Sequence, residues 1–165
     1  MTKTKTLKSC KLTQSLEQSP SFHLLLPTYQ QALHDLAAAG PLSLQKALTT
    51  ILRQEKSADL QSVFFTEEIL QNFVERNLPL PPQQDLLAEY QAKARHLIES
   101  FIILSFSEKQ KILPQLASLN LNALKKLINL YKFGHHKQSQ YLQKFIEKDP
   151  QLAVKFQSLT QNLAK

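Results

Sequence analysis

The stretch from Leu121 to Lys137 reads LNALKKLINLYKFGHHK, and its spacing decides the fold. Leu121, Leu124, Leu127, Ile128 and Tyr131 recur at intervals of three and four, which marks one face of an amphipathic helix. Lys125, Asn129 and Lys132, with Lys126 beside them, then take the opposite, solvated side. Gly134 is expected to end the helix in a left-handed conformation. His135, His136 and Lys137 follow, where positive charge complements the negative pole of the helix dipole.

The same pattern extends outward. Leucine occurs 31 times, against 8 isoleucines and 3 valines, and residues unbranched at Cβ suit helices better than sheets. The chain is therefore expected to be all-α: a bundle of about seven to eight short-to-medium helices with one long central helix and mostly antiparallel neighbours. At 165 residues it is long enough to bury roughly 70% of the surface its unfolded form exposes.

Four segments follow from the punctuation. Residues 1–20 read as a basic flexible arm, and 21–78 as an N-terminal helical module. Residues 79–82 form a proline-rich hinge, and 83–165 a C-terminal helical bundle. Within the first module, FHLLL between Pro20 and Pro27 is either an extended docking segment or one helical turn. A helix capped by Thr28 carries Tyr29, Leu33, Leu36 and Ala37, and Gly40-Pro41 stops it. A second begins after Ser43 with Leu44, Ala47, Leu48, Ile51 and Leu52 on one face. A third, capped by Thr66 with Glu67 and Glu68 in its first turn, buries Ile69, Leu70, Phe73 and Val74.

Beyond the three prolines of Leu78–Pro82 the spacing of Leu86, Tyr90, Ala94, Leu97, Phe101 and Leu104 predicts the longest helix, about 83–104. Its last two turns, apolar nearly all round, are expected at the centre. Ser107–Gln110 reads as a capping box, with Pro114 kinking or ending the helix it opens. Asn120 or Asn122 caps the Leu121 helix. Another helix spans about Gln138 to Lys148. Asp149-Pro150 opens a last one with the seam Leu152, Phe156, Leu159 and Leu163.

Function is less legible. The chain has only 2 glycines, Gly40 and Gly134, so phosphate cradles, nucleophile elbows and dinucleotide turns, which need glycine where backbone meets ligand, are disfavoured. Glu89, His96 and Glu99 could stack on one helix face as titratable groups, but that face reads as solvated. No Glu precedes a His by three residues, as a di-iron bundle requires. Adjacent His135 and His136 cannot easily aim at one ion, so no metal or cofactor is expected, and no enzymatic activity. Cys10 is the only cysteine, which fits a reducing, cytoplasmic setting. No apolar run reaches the length of a membrane span.

Charge is uneven. Residues 1–12 carry 4 lysines and no acid, residues 13–100 carry 6 basic and 10 acidic side chains, and residues 101–165 carry 10 lysines and 3 acids. The last part thus suits an anionic partner. Its candidate face is Lys125, Lys126, Lys132, Lys137, His135 and His136, assisted by Lys3, Lys5, Lys8 and Lys11 of the arm. Lysine lacks the planar fork that reads base edges, so only nonspecific phosphate attraction is in view there. The leading expectation is a helical protein–protein interaction module: an adaptor, a chaperone or a small subunit, with a protein partner or a second copy. A nucleic-acid-associated accessory protein is the alternative.

Overall fold

A computed structural model describes residues 11–151 and residue 154. Every regular element among them is helical. In chain order these are α1 over residues 11–17, α2 Pro20–Leu24, α3 Pro27–Ala39, α4 Leu42–Gln54, α5 Leu60–Asn77, α6 Leu87–Glu99 and α7 Phe106–Ile112. A 3₁₀ segment, Leu113–Ser118, then leads into α8 Leu121–Lys148. The all-α reading holds.

One contiguous core runs through the bundle. It joins Leu12 and Leu16 of α1, Phe22 of α2, Leu33 of α3, Leu70 and Val74 of α5, Tyr90 and Ile98 of α6, and Leu124 and Ile128 of α8. Residues on both sides of the proline segment 79–82 therefore share it. The part of the arm from 11 onward is folded, because Leu12 and Leu16, four apart, give α1 an apolar face that the core buries. Lys3, Lys5 and Lys8 lie outside the described residues.

FHLLL is part helix and part connection: Phe22–Leu24 close the single turn α2, capped by Ser19, which accepts from the Phe22 amide at 3.2 Å, while Leu25 and Leu26 are extended and lead into α3. Tyr29, Leu33, Leu36 and Ala37 are the buried stripe of α3, as their spacing requires. That helix begins at Pro27, so Thr28 is not its cap. Its capping group comes instead from α6, where the Glu89 carboxylate accepts from Thr28 N at 3.2 Å and from Thr28 Oγ1 at 2.7 Å. Glu55, at the end of α4, does the same for α2 by accepting from Ser19 Oγ at 2.6 Å and from Ser21 N at 2.9 Å. Gly40 ends α3 with φ −76, not left-handed; a side chain there would press on Leu36, its Cβ only 2.6 Å from the Leu36 carbonyl oxygen.

Thr66 is not a cap either. Asp59 caps α5, accepting from Gln61 N at 3.1 Å, and Thr66 and Glu67 lie buried in mid-helix. The buried face is Val63, Thr66, Glu67, Leu70 and Val74: Leu70 and Val74 are buried as expected, Ile69 and Phe73 are only half-buried, and the face extends back to Val63 because the helix starts earlier.

The helix expected over 83–104 shrinks to α6, 13 residues. Phe101 to Leu104 leave it, and Ile102 and Ile103 are exposed, not central. The capping box lies two residues earlier than expected. Ser105 Oγ accepts from Glu108 N at 3.3 Å while the Glu108 carboxylate accepts from Ser105 N at 2.8 Å. Pro114 ends α7 by entering the 3₁₀ segment at its first turn, and Asn120 caps α8 through Ala123 N at 2.9 Å.

The long helix is α8, 28 residues. Gly134 does not end it, and no described residue has a positive φ. Glycine allows a close approach there, since a Cβ would stand 3.0 Å from two carbons of the Phe101 ring, which would have to give way. The separate helix expected from Gln138 is thus the continuation of α8. Asp149 follows it and accepts from Gln151 N at 3.1 Å, as the cap of a further helix whose seam lies outside the described residues.

Candidate functional site

The expected lysine–histidine face is not one surface. Lys125 sits 3.9 Å from Glu75 and over the Tyr90 ring, and Lys132 is 2.7 Å from Glu67 Oε2. Both therefore turn toward acids of α5 instead of solvent. His135 is committed as well, with Nε2 2.9 Å from the Leu97 carbonyl and its ring edge-on to Phe101. The Gln140 amide donates to His136 Nε2 at 3.1 Å, and His136 Nδ1 is buried without a partner. Lys126 and Lys137 remain exposed, and so does Lys11 on α1.

The inward lysines build a buried charge cluster that spacing alone does not reveal. Glu67 is wholly buried in α5. Lys93 of α6 donates to its Oε1 and also to the Leu24 carbonyl at 2.6 Å, where α2 ends. Lys132 approaches Oε2 from α8, at ion-pair distance but off the hydrogen-bonding direction. Burial holds the Lys93 ammonium below the ordinary lysine pKa, and Lys132 adds to this while Glu67 opposes it. Three helices and the end of a fourth are thereby tied at one point, which makes this cluster architectural.

The surface features lie elsewhere. Tyr131, Gly134, Gln138, Tyr141 and Phe145 follow at steps of three and four, so they share one side of α8. The first part of this seam is covered. Phe101 packs edge-on to Tyr131 with centroids 5.3 Å apart and presses on Gly134, and Gln138 Oε1 accepts from Ile102 N at 3.2 Å. Beyond Gln138 the described residues leave this side of α8 exposed. Tyr141 is 61% exposed and Phe145 58%, while Ile103 and Phe106 of the covering segment are 67% and 76% exposed. Isolated apolar side chains at a surface are ordinary, but two large aromatic ones in succession on one helix face, with exposed Ile103 and Phe106 on the segment whose Ile102 bonds to Gln138, suit a contact surface.

A second feature is an open groove of about 900 Å³ between α5 and α8, lined among others by Phe64, Phe65, Phe133, Asn129, His136 and Gln140. Its charged rim has both signs, Lys56 and Lys137 against Asp59 and Glu68, so it selects no single class of ion.

The residues weighed for acid–base chemistry are not gathered. Glu89 is occupied by Thr28, and His96 and Glu99 are exposed on α6. Among the described residues no three His, Cys, Asp or Glu side chains could together hold a metal ion, and no helix is long and apolar enough to cross a membrane. Compared with known protein families, curated proteins and solved structures, the chain matches none.

The seam was partly readable beforehand. Tyr141 and Phe145 continue the α8 periodicity once Gly134 is allowed inside the helix. What hid it was the reading of Gly134 as a stop.

Proposed function

We propose that this protein is a non-enzymatic helical interaction module whose working surface is the uncovered stretch of the α8 seam. The observation that carries this reading is the exposure of Tyr141 and Phe145 on α8, which among the described residues is covered along this side only as far as Gln138. Apolar side chains aligned on a preformed helix need no ordering before they dock, which lowers the entropic cost of association. A photo-cross-linking residue at Tyr141 tests the reading in the source cell. The expected result is one or a few discrete protein adducts that survive nuclease and are absent when the label is at exposed Gln31. Equal labelling at both positions, or none at Tyr141, contradicts it.

A second reading, nonspecific attraction to a phosphate backbone, is favoured by Lys126, Lys137, Lys144 and Lys148, which are all exposed and project from the outward side of α8. Lys125 and Lys132 drop out of it because Glu75 and Glu67 engage them. Gel shifts at low salt test it: binding that disappears when those four exposed lysines become glutamine supports it, and absence of any shift removes it.

A further inference from the structure

We infer that the partner of the open α8 seam is an acidic amphipathic helix of another protein, an inference that rests on the interaction-module reading above. The shape of the surface is the first reason. Tyr141 and Phe145 line a stripe of α8 that begins where the Ile102–Gln138 hydrogen bond closes the covered stretch. A stripe one helix wide, in line with the stretch that Phe101 already fills, fits a cylinder better than the plane of a membrane surface.

Charge is the second reason. Exposed Lys137, Lys144 and Lys148 flank the stripe on α8, and Lys111 is exposed on α7. The acids of this part of the chain are fewer: Glu108 is held in the Ser105 capping box and Asp149 accepts from Gln151 N, leaving Glu147. Carboxylates on the partner's flanks would meet this surplus, and opposite charge raises both the rate and the selectivity of docking.

The same charges disfavour the other occupants. A second copy joined through a two-fold axis would set these lysines against themselves. Residues 152–165 of this chain contain Lys155 and Lys165 and no acidic side chain, so they do not complement the surface either. A polynucleotide has no use for Ile103, because bases stack on aromatic faces, and no arginine is present in this half of the chain.

The experiment offers the full-length protein to a displayed library of helical peptides randomised on all faces. Selected clones should carry aliphatic residues at i, i+3 or i+4, and i+7, with Asp and Glu enriched on the flanks. On binding, amide shifts should concentrate at residues 102–106 and 137–148. The best clone should lose at least about tenfold in affinity when Lys137, Lys144 and Lys148 become glutamate, and recover it when its own carboxylates become lysine. These lysines are exposed, so the variant keeps its fold, which an unchanged thermal melt establishes. Neutral or basic clones that move the same amides would overturn the acidic partner while leaving the interaction module standing. Clones that never move those amides would overturn both. Anionic lipid vesicles or an oligonucleotide that occupy Tyr141 and Phe145 more tightly than any clone would also overturn the inference.

Discussion

The ring of Phe101 occupies the space next to Gly134 so closely that a Cβ at 134 would stand 3.0 Å from its Cε2 and Cζ atoms. One contact thus explains why a glycine sits inside a 28-residue helix and why the segment after α6 crosses α8 at that level. The proposed contact surface depends on it, because only a helix that continues past Gly134 presents Tyr141 and Phe145.

That contact sets two effects against each other in Gly134→Ala. Alanine gains about 1 kcal/mol in helix propensity over glycine, whereas the added methyl pushes on Phe101. In the native background the substitution should therefore fall short of that gain or destabilise. In a Phe101→Ala background the full gain should appear. A double-mutant cycle in urea measures the difference, expected at about 0.5 kcal/mol or more; additivity would refute the contact.

Glu67 offers a larger effect. Glu67→Gln removes the carboxylate that Lys93 and Lys132 share, leaving two cations buried side by side, and should cost about 3–5 kcal/mol. Replacing all three at once, with leucine at 67 and methionine at 93 and 132, should be near neutral or stabilising. Denaturation midpoints decide it. A triple variant as unstable as the single one would show that the cluster does more than satisfy itself.

Alkaline pH should act through Tyr29. Burial first, and then its hydrogen bonds to Tyr90 and Glu75, raise its phenol above the ordinary value of 10.0. Above pH 10 the unfolded chain loses this proton while the folded one keeps it. The folded state then binds more protons, and stability falls as pH rises. Lys93 has the opposite sign: its lowered pKa makes the unfolded chain bind more protons, so stability rises with pH up to the ordinary lysine value of 10.5. Tyr29→Phe should thus cost about 1 kcal/mol at neutral pH through the lost 2.8 Å bond to Glu75, and the deficit should shrink above pH 10. A deficit constant with pH would contradict this.

The two serines before Glu108 separate cleanly. Ser105→Ala should cost about 1 kcal/mol, the usual loss of a helix cap, while Ser107→Ala should leave thermal stability nearly unchanged. The Ser105 hydroxyl and amide hold the Glu108 carboxyl below the usual carboxylate range, so Ser105→Ala should also move the Glu108 titration upward, readable by NMR. Equal effects from both serines would favour the later cap.

Periodicity made the stripes of α3 and α8 legible, because Tyr29, Leu33, Leu36, Leu124 and Ile128 answer to local spacing alone. The caps Asp59 and Ser105 are local and were open to a closer reading, whereas other misplaced features depend on residues far along the chain. Thr28 looked like a cap because Glu89, 61 residues away, is invisible to local reading. Glu67 resembled a first-turn acid because its two lysines come from α6 and α8. Lys125 and Lys132 fell on the polar side of the wheel, yet their long stems reach back to Glu75 and Glu67. The site suffered most, since a glycine chosen for close approach and a glycine chosen to end a helix look alike in sequence.

The most direct test is the length of α8 across Gly134. Spin labels on cysteines replacing Lys126 and Lys148, in a chain with Cys10 changed to serine, report it by pulsed electron resonance. One continuous helix places those backbone positions about 33 Å apart, from 22 residues at 1.5 Å each. A single narrow distribution near that value is the expected result. A distribution centred below about 25 Å would mean that the chain turns back at Gly134, and the seam on which the proposed function stands would not exist.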